Sequence, residues 1–174
     1  SDAHECDEIP IIAANMHRMI LPRQSQIWAV VKAGQPLQKL YYQICSGLLG
    51  RLCFSGEPDA LSAAQWTIMD AGTAFYGKAA PIIDHGVSWR LGSRIVSYRA
   101  PRGWQAVVRR GETQTLVVVH TFGAAPEAVT LPVGGKIAAQ FMRDGLTVTH
   151  PDGQLTVHGF TDFDAAAFIL ENEG

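Results

Sequence analysis

The sequence predicts an α+β protein, with a helix–strand–helix segment followed by an antiparallel β-sandwich of about eight strands. Three observations lead to this fold class. The continuous apolar run at residues 52–54 is typical of a parallel strand covered on both faces. Amphipathic helical patterns flank that run on both sides. From about Ser88 onward, Gly, Pro and Asp-Gly sequences recur every eight to twelve residues, which is the spacing of an all-β sandwich or barrel.

The composition excludes several classes of protein. The 174 residues carry 14 basic and 16 acidic side chains, a formal net charge of −2, and 47% are hydrophobic. The chain can therefore build a core, and it has no polybasic run that would bind nucleic acid or a membrane surface. No apolar run approaches the roughly 20 residues that cross a bilayer. The three cysteines are too few for a disulfide scaffold and fit a reducing cytoplasm; they are Cys6, Cys45 and Cys53.

The first third of the chain predicts helices. Residues 9–21 are apolar but interrupted by Pro10, and their periodicity does not decide between helix and strand. Residues 24–32 predict a short helix stopped by Ala33 and Gly34. A clearer helical face follows and ends near Gly50; it consists of Leu37, Leu40, Tyr41, Ile44, Cys45 and Leu48.

One βα unit then organises the chain. The strand at residues 52–54 ends in Ser55, Gly56 and Glu57, and a helix starts at Ser62. Gln65 completes a capping box with Ser62, and the helix is predicted to end near residue 80, before a proline. In α/β barrels, loops at the carboxyl end of a strand form the active-site face.

The rest of the chain predicts the sandwich. Arg143-Asp144-Gly145 indicates a hairpin between the fifth and sixth strands. The change of pattern divides the chain into a helical and βα part, residues 1–86, and the antiparallel sandwich, residues 87–174. The predicted strands are residues 95–99, 104–109, 115–121, 128–131, 136–142, 146–149, 154–158 and 165–170.

The front part is not expected to be complete by itself. One or two parallel strands cannot satisfy their edges or cover both faces, and a closed barrel needs eight. We therefore expect the chain to be the C-terminal piece of a longer protein. Alternatively, the sandwich or a second copy of the chain covers the helices.

Several polar clusters are weaker candidates for a site. His17 and Arg18 either line a polar site or are a core-edge histidine and a surface arginine. The consecutive donors of residues 4–8 are read as a solvated leader, because adjacent side chains rarely converge on one metal ion. The carboxylate pairs Asp162 with Asp164 and Glu171 with Glu173 are read as solubilising. No metal site is predicted.

Specific stretches resemble the end of the catalytic barrel of α-galactosidases, the melibiases of glycoside hydrolase family 36. The stretch Gly-Arg-Leu-Cys-Phe-Ser-Gly-Glu at residues 50–57, with its following helix, carries most of the resemblance. Later stretches of the chain resemble the start of that family's C-terminal sandwich. The matching stretches are residues 21–30, 40–42, 49–57, 61–66 and 75–76 for the barrel, and residues 98–99, 103–109 and 116–122 for the sandwich.

The resemblance implies a (β/α)8 barrel followed by a sandwich, and retaining hydrolysis of terminal α-galactosides without a cofactor. Retaining chemistry uses two carboxylates about 5 Å apart. In this family both are aspartates on earlier barrel strands, and no stretch here matches either. The chain is therefore predicted to hold no catalytic residue and to be inactive alone. Glu57 stands where the family more often has Asp.

The resemblance also implies partners and a site. The implied partners are the remainder of the barrel, α-galactoside sugars in the full-length protein, and a second copy of the chain in a homo-oligomer. The predicted rim of the substrate pocket is formed by Ser55, Gly56, Glu57, His17 and Arg18. Alternatively, Ser55, Gly56 and Glu57 are only the loop that leads into the following helix, with Glu57 solvated. The alternative functions are a sugar-binding β-module, for which Trp89, Tyr98 and Trp104 are the candidate platforms, and a structural or oligomerisation domain.

Overall fold

The structure, a computed structural model, describes residues 6–172. His4 and Glu5 of the acidic leader, and Glu173 of the last carboxylate pair, lie outside these residues. The front of the chain contains α1 (Ile9–Met16), β1 (Gln26–Val31), α2 (Leu37–Gly47), β2 (Arg51–Gly56) and α3 (Ala63–His85).

Strand β1, helix α2 and strand β2 form a parallel βαβ unit. Gln26 pairs with Arg51, and the register continues to Val31 and Gly56. The predicted α2 helix and β2 strand are confirmed. The short helix predicted over residues 24–32 is wrong, because that segment is β1. Its β-branched and aromatic residues favour a strand. The apolar positions fit the helical period and the strand period almost equally, and pairing with β2 selects the strand.

The two other front helices differ from the expected bounds. The undecided segment at residues 9–21 forms only the short helix α1, with Pro10 in its first turn, where a missing N–H costs little. Helix α3 does not end before Pro81 but continues to His85. Pro81 removes one hydrogen bond, and it lies on the exposed side of the helix, where solvent can reach the carbonyl left free.

The sandwich has eight strands in two antiparallel sheets, and seven of these strands were predicted. The five-stranded sheet has the order β3-β4-β5-β10-β7 and the three-stranded sheet has the order β6-β9-β8. The strands are β3 (Val87–Gly92), β4 (Trp104–Arg110), β5 (Gln114–Thr121), β6 (Ala128–Leu131), β7 (Lys136–Met142), β8 (Thr147–Thr149), β9 (Leu155–His158) and β10 (Ala165–Glu171).

Two predictions for the sandwich are wrong. Residues 95–99 are not a strand, because the free edge of β4 is taken by β3, and Val96 is left 85% exposed. Residues 143–145 are not a hairpin turn, because β7 pairs with β10 while β8 pairs with β9 in the other sheet. Strand β10 is buried on both faces and needs a neighbouring strand on each edge. It pairs with β5 on one edge and with β7 on the other, so β7 does not pair with β8 as the hairpin prediction required.

The five-stranded sheet is the middle layer of the molecule. One of its faces packs on the front helices, where Leu40, Ile44 and Ile83 meet Val118 and Ile169 in one apolar core. Its other face forms a second core with the three-stranded sheet. The sandwich therefore covers the helices, which was one of the three expected arrangements. No helix within residues 6–172 is long and apolar enough to cross a membrane.

Candidate functional site at the carboxyl edge of the parallel sheet

The carboxyl ends of β1 and β2 meet at one edge of the parallel sheet. Val31 and Gly56 are the last residues of the two strands, and they are register partners. The loops that follow them therefore leave the sheet side by side. Ligands of α/β proteins bind at this edge of the sheet.

Glu57 joins these two loops. Its backbone N–H donates to the Val31 carbonyl at 2.9 Å, and its Oε2 accepts a hydrogen bond from the Ala33 N–H at 3.2 Å. The carboxylate is exposed, and among the described residues Oε1 has no hydrogen bond. One oxygen thus orders the loop after β1, and the other is left without a partner among the described residues.

Gly56 is required by this geometry. Its φ of +111° lies in the left-handed region, and a Cβ built there would overlap the Val31 carbonyl oxygen. We expect Gly56→Ala to lower the free energy of unfolding by about 2–3 kcal/mol, because the strained φ and the backbone overlap act together.

Urea unfolding of the wild-type chain and the variant measures this loss. The matched control is Gly77→Ala in α3, where the added Cβ meets nothing within 4 Å. The control is expected to gain up to about 1 kcal/mol from helix propensity. Equal effects of the two substitutions would contradict the assignment of a backbone constraint at Gly56.

The first turn of α3 is hydrogen-bonded to the carboxyl end of β1. Ser62 Oγ accepts from the Gln65 N–H at 3.3 Å, and Gln65 Oε1 accepts from the Ser62 N–H at 3.0 Å. The same buried Gln65 donates through Nε2 to the Lys32 carbonyl at 3.1 Å. The capping box, which the sequence predicted, therefore also anchors the end of β1.

Ser55 lies on the sheet face opposite α2. Ile27, Ala29 and Val31 are buried toward the helix, so the intervening positions of both strands face the other way. This outer face is only partly covered. It carries Gln26, Trp28 and Val30 from β1 beside Arg51, Cys53 and Ser55 from β2. Gln26 Nε2 donates to Cys53 Sγ at 3.0 Å.

The structure places His17 and Arg18 elsewhere. His17 lies near Leu49, which precedes the amino end of β2, whereas Glu57 follows its carboxyl end. Six extended residues separate the two ends, which corresponds to about 20 Å. Ser55, Gly56 and Glu57 are brought together, and His17 and Arg18 are not brought to them.

His17 shares its surroundings with Arg109. Burial, and then the Arg109 charge, lower the pKa of His17 to about 4, against the opposing effect of the Leu49 backbone. Arg109 is 1% exposed, and burial lowers its pKa to about 10. It donates through Nε to Ser88 Oγ at 2.7 Å and through Nη2 to the Leu49 carbonyl at 2.8 Å. Arg109 thereby ties the sandwich to the end of α2.

A buried serine–histidine pair was missed from the sequence. Ser46 Oγ and His120 Nε2 are 3.2 Å apart, and both residues are at most 1% exposed. Ser46 Oγ donates its proton to the Tyr42 carbonyl, so it accepts from His120, and the neutral histidine carries its proton on Nε2. No substrate reaches the pair, and its role is structural. A lone histidine in an apolar strand gave no signal of its partner 74 residues earlier.

The aromatic candidates do not form a row. Trp104 packs into the core between the sheets. Tyr98 lies outside the strands and accepts a hydrogen bond at its hydroxyl from Asn15 Nδ2 at 2.7 Å. Trp89 is 42% exposed and lines a groove of about 250 Å³ with Arg110 and Asn172. A sugar platform of stacked aromatic side chains is therefore not assembled by these residues.

The carboxylate pairs have different roles. Asp164 is fully buried and ion-paired with Arg143, so its assignment as a solubilising residue is wrong. Asp162 accepts from the Ala125 N–H at 2.9 Å and Glu171 is exposed. Within residues 6–172, no group of three or more His, Cys, Asp or Glu side chains is arranged to hold a metal ion.

Comparison with solved structures gives the same arrangement over the whole chain. The galactosidase domain of AgaSK, an α-galactosidase–sucrose kinase, matches 99% of this chain with a TM-score of 0.68 and 16% identity. The α-galactosidase from Lactobacillus brevis matches 100% with a TM-score of 0.69 and 11% identity. The chain has the fold of the C-terminal part of α-galactosidases.

The likeness to α-galactosidases extends to a third structure. The GH36 α-galactosidase AgaA from Geobacillus stearothermophilus, in complex with raffinose, matches 99% of this chain with a TM-score of 0.67 and 12% identity. The chain spans about a quarter of these proteins, 25% or 26% of each. No family model matches the sequence, and the curated proteins give no match.

A similar fold is also found in a glycosidase of a different class, an α-amylase. An α-amylase from H. orenii matches 98% of this chain and 48% of its own, with a TM-score of 0.54 and 11% identity. The βαβ unit and sandwich are therefore shared by glycosidases of different specificity. The fold alone does not select the sugar.

Proposed function

We propose that this chain is the C-terminal part of an α-galactosidase-type glycoside hydrolase that acts on terminal α-galactosides with retention. The match of the entire chain to the C-terminal quarter of α-galactosidases carries the proposal. The Ser-Gly-Glu sequence at the carboxyl edge of β2 supports it, because that is the edge where a barrel binds its substrate.

The open parallel sheet supports a barrel as the missing partner. The sheet has two strands, so each strand has one edge without a neighbour in the described part of the chain. The face with Trp28, Val30 and Ser55 is also only partly covered. Six further strands would close a barrel of eight, pair both edges and turn this face inward.

In that barrel, Ser55, Gly56 and Glu57 form part of the rim of the substrate pocket. Glu57 Oε1 is the group available to a sugar hydroxyl, while Oε2 remains on the Ala33 N–H. Retaining hydrolysis is carried out by two aspartates on earlier strands, and the chain alone is inactive. The three free cysteines suit a reducing compartment such as the cytoplasm.

We expect no turnover of a chromogenic α-galactoside by the 174-residue chain, and turnover by the product of the reading frame extended upstream through a barrel. The reason is that the reacting carboxylates come from the missing strands. Release of the chromophore at neutral pH measures both proteins. Turnover by the 174-residue chain at the rate of the longer protein would overturn the proposal.

A second copy of the chain is the alternative partner for the open sheet. In that case the 174-residue chain forms a stable dimer and gains nothing from upstream sequence. Sedimentation of both proteins separates the alternatives. A dimer of the short chain, together with an inactive longer protein, would favour a structural or oligomerisation role for the sandwich.

A further inference from the structure

A polar cavity lies between the end of α1 and the first two strands of the sandwich. Its volume is about 180 Å³. Four polar side chains line it, together with Ala14, Trp89 and Val107; the polar ones are His17, Arg18, Ser88 and Arg90. No Asp or Glu is among the lining residues.

Three arginines lie at this cavity or directly behind it. Arg18 lies close enough to Arg90 to lower its pKa, after the larger effect of burial. Arg109 lies behind Ser88, to which its Nε donates. The two ion pairs within residues 6–172 are formed by Lys39 with Asp7 and by Arg143 with Asp164. None of the three arginines at the cavity is therefore paired with a carboxylate of the described chain.

Unsatisfied polar atoms occur in the lining of this cavity and on the arginine directly behind it. Three buried side-chain atoms of the described residues have no hydrogen-bond partner, and two of them are His17 Nε2 and Arg109 Nη1. Buried polar groups are nearly always paired, and orphaned ones indicate a missing ligand, ion or water. A cation that is 1% exposed without an anion beside it is especially unusual.

Arg90 is held in a defined orientation. Its Nε donates to Gln105 Oε1 at 3.2 Å and its Nη2 donates to the Ser93 carbonyl at 2.9 Å. Within the described residues, Nη1 makes no hydrogen bond to a side chain or carbonyl. An ordered guanidinium with a free donor is suited to an oxyanion, because its planar fork matches phosphate geometry.

We propose that this cavity binds a small tetrahedral oxyanion of the phosphate class, held by Arg18 and Arg90 and by the imidazole of His17. Arg109 is a positioning residue and supplies positive charge from behind. The bound anion would offset the repulsion between the arginines and accept from the histidine. The inference is independent of the proposed hydrolase activity, because the cavity and its residues all belong to this chain.

Inorganic phosphate is the probe that tests the site. We expect phosphate to raise the midpoint of thermal unfolding of the 174-residue chain saturably, with sodium chloride added to keep the ionic strength constant. Arg18→Gln should weaken the apparent affinity about tenfold or more, which is about 1.4 kcal/mol or more of binding free energy. Arg18 is exposed, so its substitution leaves folding intact.

A matched variant and a site-specific signal complete the test. Arg102→Gln removes one exposed positive charge away from the cavity lining and should leave the affinity unchanged. In an NMR titration, phosphate should raise the pKa of His17, since a bound anion favours the imidazolium. An unsaturable response that is equal in both variants, with an unmoved His17 titration, would overturn the proposal.

Discussion

Replacing Arg143 by alanine is expected to lower the free energy of unfolding by about 3–5 kcal/mol. Arg143 donates to Asp164 Oδ2 through Nε at 2.9 Å and through Nη2 at 2.6 Å, and Asp164 is fully buried. Without the guanidinium, a buried carboxylate keeps only weaker neutral donors, the Thr161 and Ala165 N–H groups and the Thr161 hydroxyl.

The loss extends beyond the ion pair itself. Arg143 Nη2 also donates to the Gly159 carbonyl at 2.9 Å, so the side chain holds the segment before β10 to the end of β7. Gln38 of α2 donates to the carbonyls of Asp162 and Phe163 on that segment. Disordering this segment would therefore loosen the contact between α2 and the sandwich.

Urea unfolding followed by circular dichroism measures this prediction. Arg102→Ala, at an exposed arginine, is the control and should change stability by no more than about 0.5 kcal/mol. In the double variant Arg143→Met/Asp164→Leu, the cost should be smaller than that of Arg143→Ala, because no charge is left buried. A loss below about 1 kcal/mol for Arg143→Ala would be inconsistent with a buried, paired carboxylate.

The protein is expected to lose stability steeply as the pH falls below about 6.5. Burial lowers the pKa of His120 to about 3, and burial with the Arg109 charge lowers that of His17 to about 4. Both folded pKa values lie below the unfolded value of about 6.5, so between these limits the unfolded chain binds more protons. Each histidine then contributes a slope of about 1.4 kcal/mol per pH unit, and above pH 7 neither contributes.

His120 has a clear physical reason for staying neutral. Its Nε2 proton goes to Ser46, while Nδ1 is buried without a partner, so a second proton would enter a site with no acceptor. The variant His120→Gln can still donate to Ser46 but cannot titrate. Its free energy of unfolding, measured from pH 7.5 to pH 4, should fall less steeply by about 1.4 kcal/mol per pH unit. An unchanged slope would show that His120 does not titrate on unfolding in this range.

The sequence predicted those elements whose signals are local. The βα unit around Ser55–Glu57, the capping box of Ser62 and Gln65, and seven of the eight sandwich strands follow from periodicity, turn residues and capping. The segments that were assigned wrongly are those whose structure depends on strands distant in the sequence. Residues 26–31 become a strand because β2 pairs with them, and residues 95–99 fail because β3 occupies the edge of β4.

The candidate sites divide in the same way. Ser55, Gly56 and Glu57 are adjacent in the chain, so their common position could be predicted. His17 and Arg109 are 92 residues apart in sequence, and only the packing of α1 and α2 on the sandwich brings them together. Likewise, the burial of Asp164 depends on Arg143, which follows the end of β7 and lies 21 residues earlier in the chain.

The five-stranded sheet is shared between two cores, and this has a consequence for how such proteins can be recombined. Its strands β4, β5 and β10 present apolar side chains to the front helices on one face and to the small sheet on the other. A cut near residue 86 would strip one face of that sheet and leave α2 and α3 without their cover. The sandwich is therefore not a unit that can be exchanged between proteins by itself. The smallest transplantable unit includes the βαβ segment and α3, so these parts would be inherited together with the sandwich.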